Sequence, residues 1–107
     1  MDVVQIKGSE ALESGEKLEF DSLVTKHMEK IKRMLNNTFF TKIAIKVYSK
    51  DKENKVKRKR FSIDVELTGE IPRIFASAEE WDLNKSVNSA FLKLGHEIEH
   101  KFHVSEK

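Results

Sequence analysis

Apolar residues fall at every second position in two stretches of this chain. Ile43, Ile45 and Val47 alternate with Lys42, Ala44, Lys46 and Tyr48, and Phe61, Ile63, Val65 and Leu67 alternate with Arg60, Ser62, Asp64 and Glu66. A period of two sends successive side chains to opposite faces, so each stretch is a predicted strand with its branched residues inward and its lysines outward. The charged segment 50–60 between them then forms the ends and turn of a long hairpin. Two other stretches follow helical spacing. Val24, Met28, Ile31 and Leu35 lie at i, i+4, i+7 and i+11 with Leu23 and Met34 beside them, behind the N-cap candidates Asp21 and Ser22 and before the stop Asn36-Asn37. Leu83, Val87, Ala90, Phe91, Leu94, Ile98 and Phe102 make a second stripe behind Asp82 as cap, on a helix roughly 30 Å long.

The remaining segments complete the order. Val3 to Lys7 is a short predicted strand ended by Gly8, and Ile74, Ala76 and Ala78 face inward on a last strand after a turn at Gly69 to Pro72. Residues 9–20, with Ser9, Ser14, Gly15 and four glutamates, show no sustained period and are predicted as a loop with one helical turn at most. The result is an α+β domain of order β-α-β-β-β-α, a four-stranded sheet with two helices packed on one face. Each helix has one apolar stripe and the sheet one fully apolar face, so stacking them in two layers buries all three. The other sheet face carries Lys42, Lys46, Tyr48, Arg60 and Arg73 and is left for water or a partner.

A chain of 107 residues supports one domain with a single core. Without cysteine it forms neither a disulfide framework nor a thiolate metal site. No apolar run reaches the roughly 20 residues of a membrane span, and Met1-Asp2-Val3-Val4-Gln5 is unlike a signal peptide, so a cytoplasmic protein without membrane contact is expected. The net charge is only +2, but segment 50–60 alone is +5, with seven Lys or Arg against Asp51 and Glu53, which leaves −3 on the other residues. One basic pole on a mildly acidic body is the footprint of a polyanion-binding protein. It is equally what a solvated hairpin tip carries to keep its edge from aggregating, and charge alone does not choose.

His96-Glu97-Ile98-Glu99-His100 matches H-E-x-x-H, the pattern in which two histidines one turn apart hold zinc and the glutamate serves as general base. His103 extends the face. A zinc hydrolase also needs an open coordination position and a substrate cleft. Only seven residues follow His100, Glu99 places a charge where such proteases have a neutral residue, and Leu94, Ile98 and Phe102 direct the histidines away from the core. These residues are therefore read as an exposed helix end that interacts with terminal carbonyls or with phosphate, and no catalytic residue, metal or cofactor is assigned. No glycine-rich phosphate loop, nucleophile elbow or carboxylate metal cluster occurs. Of the aromatics Tyr48, Phe75 and Trp81, Tyr48 is the best base-stacking candidate, because Lys46 and Lys50 flank it on its own face.

The stretch Ile74, Ala76, Ala78, Glu79, Asp82, Leu83, followed by Ser86-Val87-Asn88, Lys93-Leu94 and Ile98, resembles the strand-to-helix join of the ribosome hibernation-promoting factor family, also called ribosome-associated inhibitor A or protein Y. The element order is similar over nearly the whole chain. The first helix, with Lys26, Lys30, Lys32 and Arg33, is similar to that family's basic first helix. The resemblance implies a double-stranded-RNA-binding-like fold and a ribosome-binding translation inhibitor. Such a protein occupies the messenger and transfer RNA channel of the small ribosomal subunit by shape and charge recognition of ribosomal RNA. It also implies RNA contacts at Lys26, Lys30, Lys32, Arg33, Lys42, Lys46, Tyr48, Arg60, Lys85 and Lys93, with Lys55, Lys57, Arg58 and Lys59 as additions. A single domain lacking the C-terminal pairing domain of long members, monomeric off the ribosome, is expected. Two other readings are a generic double-stranded RNA-binding module and a zinc hydrolase built on His96, Glu97 and His100.

Overall fold

The computed structural model describes residues 3–35, 39–51 and 57–102, with side chains for 4–35, 39–48 and 59–101. The strands are β1 (Val3–Lys7), β2 (Phe39–Asp51), β3 (Lys57–Gly69) and β4 (Ile74–Glu80), and the helices α1 (Ser14–Met34) and α2 (Leu83–Phe102). A 3-10 turn at Ser9–Ala11 joins β1 to α1. The sheet order is β1-β2-β3-β4, with β1 parallel to β2 and the other pairs antiparallel. This is the expected β-α-β-β-β-α arrangement. The parallel pair follows from the crossover through α1, which returns the chain to the same end of the sheet.

The hairpin is as long as the alternating pattern implies. β2 and β3 stay in register from Phe39 opposite Gly69 to Asp51 opposite Lys57. The turn at 52–56 and the Asn36-Asn37 stop lie outside the described residues. On the inner face Phe39, Ile43, Ile45, Phe61, Ile63, Val65, Leu67, Ile74, Ala76 and Ala78 are buried, and against them lie Phe20, Val24, Met28 and Ile31 of α1 and Leu83, Val87, Ala90, Phe91, Leu94 and Ile98 of α2. Burying a Leu, Ile or Phe side chain contributes about 1.5–3 kcal/mol, so this one cluster supplies most of the driving force.

The first helix begins earlier than its periodicity announces. Residues 14–20, expected as loop, are its first two turns. Phe20 explains the extension, since it lies one turn before Val24 on the same face and is 1% exposed. Glu16 closes the N-terminus by accepting a hydrogen bond from the Glu13 N–H through Oε1 at 2.9 Å, while the Glu13 carbonyl accepts from the Lys17 N–H at 2.8 Å. A glutamate three residues into a helix reaching back to the N-cap amide is half of a capping box. Ser14 and Gly15, which resemble loop residues, sit in the first turn where helix propensity matters least.

At the other end of the chain α2 is fixed by its first turn. Asp82 Oδ1 accepts from the Lys85 N–H at 3.2 Å, as an N-cap carboxylate should. The fully buried Ser86 hydroxyl lies 2.9 Å from the Asp82 carbonyl and 3.1 Å from the Phe61 carbonyl, so its one proton ties the helix either to its own start or to β3. Beside it, Ala76 and Ala78 keep β4 thin enough for α2 to lie close.

Candidate nucleic-acid interface

Two layers give the molecule two solvent faces, and the cations expected to meet RNA divide between them. On α1, Lys26, Lys30 and Arg33 are spaced i, i+4 and i+7, which makes one exposed stripe opposite the buried one. Lys32 stands beside the groove between α1 and β1, lined also by Val4, Asp21, Met28 and Glu29. On α2, Lys85 and Lys93 are both exposed. Lys42, Lys46, Tyr48 and Arg60 project from the far side of the sheet, away from both helices. The ten residues thus form no single patch. A partner that touches all of them must enclose the domain, as a cleft encloses a wedge.

Pairing separates them further. Among the described residues, Lys26, Lys30, Arg33, Lys42, Lys46 and Lys85 take part in no ion pair. Arg60 does, with Glu79 at 2.8 Å, and its guanidinium lies over the Trp81 ring at 4.7 Å from the centroid. Lys93 donates through Nζ to the Ser77 carbonyl at 3.3 Å, which occupies a donor but leaves its charge uncompensated. Arg73 pairs with Glu66 and lies over Phe75.

The basic pole is partly tied down from an unexpected direction. Lys59 reaches Glu13 at 2.9 Å and Glu16 at 3.3 Å, so the acidic start of α1 holds the hairpin. The hydrogen bond that Lys59 donates to Glu13 raises the amine above the usual lysine value, against partial desolvation and with help from Glu16. Glu13 and Glu16 therefore act as a clamp for this one lysine. Lys55 lies outside the described residues, as do the side chains of Lys50, Lys57 and Arg58.

A polar ladder also joins the two helices. His27 donates through Nε2 to Asn88 Oδ1 at 2.6 Å, Asn88 Nδ2 donates to Asn84 Oδ1 at 2.7 Å, and Asn84 Nδ2 donates to Glu19 Oε2 at 3.3 Å. The His27 ring stacks on Phe91 with centroids 4.8 Å apart and planes 3° from parallel. Helical spacing could have signalled half of this, since Asn84 and Asn88 are i and i+4 on one face. The partners on α1 could not be read from sequence.

The H-E-x-x-H histidines behave as an exposed helix end. His96 and His100 are on the surface, and among the described residues no group of three potential ligands could hold a metal ion. His103 lies outside the described residues. His96 borders a groove of about 360 Å³ between the helices, with His27, Lys30, Phe91, Leu92 and Glu99. That groove is open and largely apolar. No helix among the described residues is long and apolar enough to cross a membrane.

The sequence matches no protein-family model and no curated protein. The structure is similar in fold to solved ones. The N-terminal domain of Thermus thermophilus Protein Y superposes with a TM-score of 0.61 at 19% identity, covering 94% of this chain and 98% of that one. A ribosomal subunit interface protein from Coxiella burnetii superposes with a TM-score of 0.54 at 17% identity, covering 96% and 99%. Both superpositions span nearly the whole of each chain, so this chain has the fold of the Protein Y N-terminal domain.

Proposed function

We propose that this protein binds the small ribosomal subunit through its RNA and blocks translation by occupying the channel for messenger and transfer RNA. The observation that carries the reading is the near-full-length likeness of fold to a Protein Y domain and a ribosomal subunit interface protein. Unpaired cations on both solvent faces support it, because a channel walled by RNA offers phosphate to both sides of a domain that enters it. Such recognition depends on phosphate and shape, with little base readout. The mechanism is steric competition by a rigid wedge. It uses no reacting group, metal or cofactor, and a ribosome-bound protein works in the cytoplasm.

Sedimentation of cell lysate through sucrose gradients tests this directly. At low salt the protein is expected with small subunits, and messenger or initiator transfer RNA should compete for the site. Equal binding to any RNA duplex, with no preference for the subunit, would favour a generic duplex-binding module. Activity lost on Glu97→Gln together with stoichiometric zinc would favour a hydrolase.

A further inference from the structure

The outer row of β2 reads Phe40, Lys42, Ala44, Lys46, Tyr48. Every second residue of a strand shares a face, so these five side chains stand in one line. An aromatic closes each end, a lysine lies inside each aromatic, and the smallest side chain is at the centre. Eight residues at about 3.3 Å each separate the two rings by about 26 Å. Phe40 is 46% exposed and Tyr48 48%, both large for apolar rings, and among the described residues neither has a ring partner. Lys42 and Lys46 have no ion pair there.

The neighbouring strands leave this row positive. On β1, Lys7 lies beside Ala44 and Gln5 beside Lys42. On β3 the row meets Thr68, Glu66, Asp64, Ser62 and Arg60 in turn. Glu66 is taken by Arg73, and Glu79 beyond it by Arg60, which leaves Asp64 as the unpaired carboxylate against Lys7, Lys42 and Lys46. The helices lie on the opposite side of the sheet, so neither ring belongs to the buried core. Exposed rings at either end of a pair of lysines without ion pairs suit a single strand of nucleic acid, because unpaired bases have free π-faces and a duplex does not.

We propose that the outer row of β2 is a track for single-stranded RNA, with unpaired bases stacked on Phe40 and Tyr48 and the phosphates between them held by Lys42 and Lys46. It deepens the ribosomal RNA reading, on which it rests, by naming an unpaired segment as the ligand of this face.

The test measures anisotropy of a labelled 12-nucleotide oligoadenylate and of a 12-base-pair RNA duplex with the full chain. The oligomer should bind more tightly than the duplex. Phe40→Leu and Tyr48→Leu should each weaken oligomer binding about 5- to 100-fold and leave duplex binding unchanged. Lys42→Gln and Lys46→Gln should each lower the salt slope by about 0.7. Oligomer affinity unchanged in both leucine variants, or a wild-type preference for duplex, overturns the track. If a variant melts early, the wild-type Phe40 and Tyr48 ring protons decide instead: they shift on adding oligomer if the track is real and stay put if it is not. Sedimentation with small subunits separates the two readings. Wild type that binds oligomer through these rings but ignores subunits refutes the ribosomal assignment alone, while subunit binding with both leucine variants unaffected in either assay refutes the track alone.

Discussion

Gly8 occupies a position that only glycine fills without strain. Its φ of +88° lies in the left-handed region, and a Cβ built there would come within 2.1 Å of the Ile45 carbonyl oxygen. The turn after β1 passes so near β2 that only hydrogen fits. Gly8→Ala should cost about 2 kcal/mol or more in urea denaturation, from φ strain plus displacement of a backbone neighbour; a cost below 0.5 kcal/mol would mean the turn adopts another conformation. Phe91 is the matching test of the core, since it is 3% exposed and its other face is covered by His27. Phe91→Ala should cost about 3–5 kcal/mol, and under 1 kcal/mol would mean the stripe of α2 is wrongly placed. That Phe91 is inward was legible from spacing alone. Its stacking on His27 was not, because two helices far apart in sequence meet there.

At the scale of elements, periodicity carried the strands, the long hairpin and α2, and failed at the start of α1. Serines, a glycine and four glutamates within twelve residues look like a loop when read for propensity. The signals that decide are sparse: Phe20 one turn ahead of Val24, and Glu16 three residues after Glu13. The same segment clamps Lys59, a tertiary contact with no local trace. Lys59→Met should lower stability by about 0.5–1 kcal/mol at pH 7, the usual scale for a partly exposed ion pair. Because the folded amine titrates above the unfolded one, its contribution is complete below the ordinary lysine value of about 10.4 and fades as pH rises through the higher folded value. Thermal melts of wild type and variant should therefore draw together as pH rises above the ordinary lysine value. A gap of constant size across that alkaline range would show that packing of the lysine stem, and not its charge, makes the difference.

Phe40 shows how the candidate site was only partly legible. Extending the alternation of Ile43 and Ile45 backwards puts Phe39 and Thr41 inward and Phe40 outward, yet a pair of adjacent phenylalanines at a strand start looks like core. Exposure had to be seen in three dimensions. The cations were countable from sequence, but which ones are committed to carboxylates was not, and this separates Lys42 and Lys46 from Arg60 and Lys59.

The whole molecule is elongated, with extents of 50 × 24 × 21 Å, as 13-residue strands in a two-layer domain require. Its stripe on α1 and its row on β2 face opposite ways, so a ligand that meets both must wrap the domain. Co-sedimentation of the purified protein with small ribosomal subunits across a salt series is the most direct measurement of that claim. Each neutralised phosphate contributes about −0.7 to −0.9 to the slope of log affinity against log salt. Six unpaired cations acting together predict a slope steeper than about −4, reduced when either Lys26, Lys30 and Arg33 or Lys42 and Lys46 are changed to glutamine. Binding that ignores salt, or that survives loss of both sets, would contradict the account.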